Sequence, residues 1–163
     1  QNGYVTGNPA EGGGMYVSSV LSMGVRRCLF TENTVLGSNG SSGSRTGKAG
    51  EGGALAVAGG RIHILETAFI DNNVTGGIGY NSTFSGLAGV GGAASGGAVS
   101  VSNAALAAWD VGFNGNTANG GKGGNRTDDN AGMGGGAVGG GLSLNTSSAW
   151  LIQCNFTNND SLG

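Results

Sequence analysis

The sequence predicts an all-β fold, a parallel β-helix (β-solenoid) of about four coils with long Gly-rich connections. Three observations predict it: one unit recurs four times at nearly constant internal spacing, apolar residues alternate within it with a period of two, and equivalent positions carry the same chemistry in every copy. Residues 1–163 read as a single solenoid domain with repeats 12–33, 52–72, 96–116 and 139–159, either whole or a segment of a longer solenoid.

Each copy opens on a small-residue triplet: Gly12-Gly13-Gly14, Gly52-Gly53-Ala54, Gly96-Gly97-Ala98 and Gly139-Gly140-Gly141. Glycine there lets the chain turn tightly where a strand begins. The next inward position is Met15, Leu55, Val99 or Leu142, and the one after is Val17, Val57, Val101 or Leu144. Each copy closes on Phe-x-x-Asn: Phe30 with Asn33, Phe69 with Asn72, Phe113 with Asn116, and Phe156 with Asn159. Two residues before the Phe stand Cys28, Thr67, Val111 and Cys154, all able to face inward. Three before it stand Arg27, Glu66, Asp110 and Gln153, all polar and expected in solvent. The four closing Asn are expected to tolerate left-handed backbone and to bond their amides along the stack. Two strands per copy cannot enclose a core alone, so neighbouring copies must cover one another's edges.

The Gly-Gly-Ala-aliphatic opening and the Phe-x-x-Asn close, over residues 12–159, resemble the repeats of chlamydial polymorphic outer-membrane proteins, also found in surface proteins of other microbes and protists. The resemblance implies a right-handed β-helix used in surface display and adhesion. Copies one and four depart from it, with Gly in place of Ala in the triplet, and the chain has no room for a C-terminal membrane barrel.

The connections, residues 34–51, 73–95 and 117–138, are long and hold much of the Gly and Ser; they are loops on one side of the solenoid or contain a third strand. In all, 38 of 163 residues are Gly and 10% are charged. Collagen is excluded, because Pro9 is the only proline and the glycines cluster instead of recurring at every third position throughout. A flexible linker is excluded by the alternating apolar runs. A net charge of −2 directs the chain to neither nucleic acid nor an anionic membrane, and no apolar run reaches the length of a membrane span. Nothing at Gln1 resembles a signal peptide, so the chain reads as a mature product or a fragment.

Seven Asn-x-Ser/Thr sequons, at Asn39, Asn73, Asn81, Asn125, Asn145, Asn155 and Asn159, exceed what the counts of Asn, Ser and Thr give by chance. They predict a secreted glycoprotein carrying N-glycans, with Asn159 incidental because it belongs to the ladder. Cys28 and Cys154 share a register three rungs apart, too far for an intrachain disulfide. They read as buried thiols or, if copies stack head to tail, as an intermolecular pair one rung apart. Neither end shows a capping helix or a Pro- or Lys-rich blocking strand. The expected partner is therefore another copy of the chain, in a head-to-tail homopolymer.

No catalytic residue, metal ligand or cofactor site is expected. His63 is the only histidine and lies between Ile62 and Ile64 as an ordinary strand residue. Glu66 and Asp110 would be carboxylates on adjacent rungs, the pattern that glycosidic chemistry uses, or part of a solvated face in which Arg27 offsets Glu66. Residues 76–82 look like one Gly-rich calcium nonapeptide with Asn for Asp, but that motif works in tandem. Asp128-Asp129 reads as a solvated turn, and Lys48 lacks the residues of a phosphate loop. No Thr ladder of an ice-binding face is present. The expectation is a non-enzymatic, extracellular or cell-surface protein that is structural or adhesive and stacks into a filament or surface layer. The alternative is a carbohydrate-binding or polysaccharide-cleaving β-helix using the Glu66/Asp110 face.

Overall fold

The computed structural model describes residues 3–7, 9–82, 87–126 and 131–163. Asp128-Asp129 and the third sequon positions Thr83 and Thr127 lie outside the described residues. Every described element is a strand, and the strands form three parallel sheets.

The five-stranded sheet runs β1 (Tyr4–Gly7), β6 (Thr34–Gly37), β9 (Asn73–Thr75), β12 (Thr117–Asn119), β17 (Asp160–Leu162). The four-stranded sheet holds β2 (Ala10–Glu11), β7 (Gly50–Glu51), β10 (Ala94–Ser95) and β13 (Ala137–Val138). The eight-stranded sheet is built on two 16-residue strands, β8 (Leu55–Ile70) and β11 (Val99–Asn114). On one side β8 pairs with β3 (Met15–Ser18), β4 (Met23–Arg26) and β5 (Leu29–Thr31); on the other side of the sheet β11 pairs with β14 (Leu142–Asn145), β15 (Ser148–Ile152) and β16 (Asn155–Thr157).

The expected parallel β-helix of about four coils with long Gly-rich connections is therefore corrected to a layered fold of three parallel sheets of five, four and eight strands, most of them short. Two physical causes separate expectation from structure. First, the segments read as connections are themselves paired: β6, β7, β9, β10, β12 and β13 all fall in them and supply most of two sheets. Second, the two alternating segments expected within a copy fuse into single long strands in β8 and β11, the two inner strands of the eight-stranded sheet.

Register follows sequence equivalence. Val99 pairs with Leu55 and Leu142, and Phe113 with Phe69 and Phe156, so like side chains stand above one another. The four Phe rings stack nearly parallel, with centroids 5.0, 5.2 and 4.5 Å apart from Phe30 to Phe156. Burying one such ring contributes about 1.5–3 kcal/mol. The main core gathers Phe30, Phe69 and Phe113 with Leu55, Ile62, Ile64, Val99 and Val101, while a second, smaller core of Val35, Val74, Ala94 and Ala118 joins the other two sheets.

The Gly-rich segments beyond the strands are not free loops. Gly77 N donates to Lys48 O (2.8 Å), Gly92 N to Gly77 O (2.7 Å), Gly121 N to Gly92 O (2.8 Å) and Gly135 N to Gly121 O (2.8 Å). A Cβ on Gly92 would overlap the Lys48 carbonyl oxygen, and one on Gly121 the Gly77 carbonyl oxygen. The glycines recur there in threes, as Gly76/Gly79, Gly89/Gly92, Gly121/Gly124 and Gly132/Gly135. That is the period of an extended threefold chain, in which only glycine fits where backbones meet. The spacing of three that was absent along the whole chain is thus present locally.

Left-handed backbone also falls one residue away from the expected place. The closing Asn residues do not adopt it; Glu32, Asp71, Gly115 and Asn158, immediately before them, do. The polar column Arg27, Glu66, Asp110 and Gln153 adopts it as well, which turns those side chains out at a corner.

Candidate assembly interface

The feature that reaches furthest across the molecule is the ladder of closing asparagines. Asn33, Asn72 and Asn116 are wholly buried. Asn33 Nδ2 donates to Asn72 Oδ1 (2.8 Å), Asn72 Nδ2 to Asn116 Oδ1 (2.9 Å), and Asn116 Nδ2 to Asn159 Oδ1 (2.8 Å). The backbone N–H of each of the three donates to the same oxygen, at 3.0, 3.0 and 3.1 Å. The second Nδ2 hydrogen caps a carbonyl one layer back: Phe30 O for Asn72, Phe69 O for Asn116 and Phe113 O for Asn159. In a dry interior such a chain is fully satisfied, which is why Asn is tolerated there.

At the edge formed by β13 to β17 the ladders stop in solvent. Phe156 is 45% exposed, against 0% for Phe69 and 1% for Phe113. Leu144, Leu151, Leu162 and Trp150 are exposed on the same strands. Across residues 137–163 Asp160 is the only charged side chain and there is no proline. A sheet edge without Lys, Pro or inward charge is an open template for another strand. At the opposite edge, Phe30 is the last ring of its stack, and the first paired backbone beyond Asn33 is Gly3, whose N–H donates to Asn33 Oδ1 (2.7 Å).

The cysteines lie on these two edges. Cys28 pairs by register with Thr67, and Cys154 packs partly buried against the core. Both are free thiols. Cys28 is exposed, contrary to the expected inward position, because its column has no further layer to cover it. Thr67 and Val111, the middle members, are buried as expected.

The acidic face is arranged differently from the alternative reading. Glu66 forms ion pairs with Arg27 Nε (Oε2, 2.6 Å) and Arg26 Nη2 (Oε1, 3.2 Å). The hydrogen bond from Arg27, and then that from Arg26, holds the Glu66 carboxyl below the usual carboxylate range. A carboxylate held ionised cannot donate a proton to a leaving group, so Glu66 is unsuited to the general-acid role of a glycosidase pair. Arg26, absent from the sequence reading, is the second partner; its place next to Arg27 was the available signal.

Sequence reasoning also missed an apolar cleft of about 300 Å³ lined by His63, Leu65, Ala107, Trp109, Trp150 and Ile152. His63 is an exposed residue of β8. Trp109 Nε1 donates to Gln153 Oε1 (2.8 Å), which fixes one indole beside the corner column. Trp109 alternates with the buried Leu106 and Ala108, and Trp150 pairs in register with Ala107, so both indoles lie on the outward parity of the eight-stranded sheet; the left-handed corners at Asp110 and Gln153 break the alternation between them and the inward Phe113 and Phe156.

Of the sequon residues, Asn39, Asn81, Asn125, Asn145 and Asn155 are exposed, and Asn73 is half-buried in β9. Asn39 Oδ1 accepts from Ile78 N (2.9 Å), Asn81 Oδ1 from Asn125 N (2.7 Å) and Asn73 Oδ1 from Asn119 Nδ2 (3.1 Å). Asn159 is bound into the ladder. Among the described residues no three His, Cys, Asp or Glu side chains converge as a metal site, and no helix is long and apolar enough to cross a membrane.

Neither family models, curated proteins nor solved structures contain a match to this chain. The resemblance to polymorphic outer-membrane protein repeats therefore rests on the residues alone.

Proposed function

We propose that the chain is a structural building block of an extracellular fibre or surface layer, whose copies join end to end through the open edges of the three parallel sheets. The observation that carries this reading is the termination of the Phe and Asn ladders: the same contacts that bury Phe69 and Asn72 are left half-made at Phe156 and Asn159. A second copy placed in register supplies the missing layer, with Phe156 on the next copy's Phe30. Exposed sequons at Asn39, Asn81, Asn125, Asn145 and Asn155 support secretion and N-glycosylation. The surface role implied by the repeat resemblance fits the same setting.

Sedimentation velocity tests the association. The chain should form concentration-dependent oligomers, and Phe156→Asp, which puts a charge into the joint, should sediment as a folded monomer. A wild-type chain that stays monomeric at millimolar concentration overturns the reading. Glycan occupancy is read separately, by mass shift on enzymatic deglycosylation of secreted material.

Glycan binding is a second reading, favoured by the exposed indoles of Trp109 and Trp150 flanking an apolar cleft. Quenching or shift of tryptophan fluorescence on titration with oligosaccharides, lost in Trp150→Ala, supports it; an unchanged spectrum across a broad glycan panel removes it.

A further inference from the structure

The apolar cleft beside Trp109 is one end of a longer trench on the outward face of the eight-stranded sheet. Its floor is β11, which turns at left-handed corners at Asn103 and Asp110 and between them presents only the methyl groups of Ala105 and Ala107 outward, up to Trp109. Register sets the walls: Arg61 and His63 of β8 flank the two alanines on one side, Ser148 and Trp150 of β15 on the other. The cleft of about 300 Å³ continues past His63 and Trp150 into a hollow of about 340 Å³ over Ala105, and then into one of about 680 Å³ against Asn103 and Thr146. From Asn103 to Trp109 the trench runs about 20 Å along the strand, and its walls stand two strand spacings apart, about 9.6 Å.

We propose that this trench binds a linear acidic polysaccharide, a chain of uronate residues lying along β11. This rests on the glycan reading above and specifies the ligand's charge and its direction. Trp109 and Trp150 offer apolar ring surface to the C–H face of a sugar, while the sugar hydroxyls stay at the open rim in water. Arg61 supplies the charge. It is exposed and makes no ion pair among the described residues, whereas Arg26 and Arg27 are both engaged by Glu66. Its forked donors match a carboxylate. Among the described residues no carboxylate lines the trench; Glu66 and Asp110 turn out at the corners and line a separate hollow with Arg27 and Thr67.

Shape separates a sugar chain from other occupants. A helix, about 10–12 Å across, is too wide to lie between the walls. An extended peptide fails for a different reason: both edges of β11 are already paired, to β8 and to β15, so the peptide's N–H and C=O groups find no backbone partners on the floor. A polysaccharide one ring wide has no backbone amides to satisfy. It lays apolar ring faces on Ala105, Ala107 and the indoles and turns its carboxylates toward the Arg61 wall.

The experiment titrates the full chain at neutral pH and low salt with tetragalacturonate and with its fully methyl-esterified form, read by tryptophan fluorescence. The two probes share one carbohydrate backbone and differ in charge. The acid should bind about fivefold tighter than the ester, the worth of one exposed ion pair. Arg61→Gln should bring the acid down to the affinity of the ester, as should about 0.5 M NaCl, and Trp150→Ala should weaken both; circular dichroism checks that each variant is folded. Equal affinity for the two probes, or a preference for the acid that survives Arg61→Gln, overturns the acidic ligand and leaves glycan binding standing. Binding of a neutral oligosaccharide or of a hexaglutamate peptide, with neither tetramer bound, also overturns it. No response to any glycan overturns both this proposal and the glycan reading.

Discussion

Asn72→Ala removes the centre of the buried ladder, and its cost can be worked from the bonds it breaks. The side chain accepts from Asn33 N (3.0 Å) and Asn33 Nδ2 (2.8 Å) and donates to Asn116 Oδ1 (2.9 Å) and Phe30 O (3.1 Å). Asn116 Oδ1 keeps the bond from the residue 72 backbone N–H, so three groups lose a partner: Asn33 N–H, Asn33 Nδ2 and Phe30 O. Each orphaned buried group costs about 1–3 kcal/mol, and with partial relaxation the sum is about 3–5 kcal/mol. That is a large share of the roughly 5–15 kcal/mol by which domains are stable. Asn159→Ala breaks the equivalent bonds at the open edge, where water replaces them, and should cost about 1 kcal/mol or less. Asn155→Ala, exposed and outside the ladder, should stay within about 0.5 kcal/mol. Urea unfolding of dilute, monomeric samples, read by circular dichroism, measures all three. If Asn72→Ala costs no more than Asn159→Ala, burial is not what gives the ladder its strength.

Other consequences follow from the same physics. Gly121→Ala should destabilise the fold by about 1–3 kcal/mol, because its methyl meets the Gly77 carbonyl oxygen, whereas Gly43→Ala has open space and should be neutral or stabilising by up to about 1 kcal/mol; thermal melts separate them. The Glu51 carboxyl is raised above its ordinary range by burial and then by Glu11, so the native state binds its proton more tightly than the unfolded chain. Its ionisation therefore weakens the fold as pH rises through the folded value, and the penalty is absent below the unfolded value. Glu51→Gln should raise the melting temperature at pH 7 by an amount worth at most about 1 kcal/mol, given its half-exposed position, and change nothing at pH 3. In fibres where Phe156 stacks on the next copy's Phe30, Cys154 and that copy's Cys28 lie one strand spacing apart, about 4.8 Å, so oxidation should yield a reducible ladder of linked chains on gels, lost in Cys154→Ser.

What the sequence made legible was whatever repeats at one position per copy. The Phe column, the inward Leu/Val positions and the closing Asn all stand in the registers that spacing gave them, because side-chain period and strand pairing obey one rule. Two things were hidden. The Gly-rich stretches between copies meet largely through backbone bonds and β7 and β10 are two residues each, so they show no alternation that a reader could follow, and the threefold glycines look like low complexity. The corner residues were displaced by one, since Glu32 or Asp71 at a left-handed turn is chosen by the burial of the next Asn rather than by its own propensity. Arg26 and the two tryptophans were missed for a third reason: their contacts run across copies, between residues 40 or more apart in sequence.

In the proposed assembly the edge carrying Phe156 and Asn159 is covered by another copy. Negative-stain electron microscopy of the concentrated wild-type chain beside Phe156→Asp tests it most directly. Unbranched filaments one molecule wide, present in the wild type and missing from the variant, are the predicted result; dispersed single particles in both would contradict it.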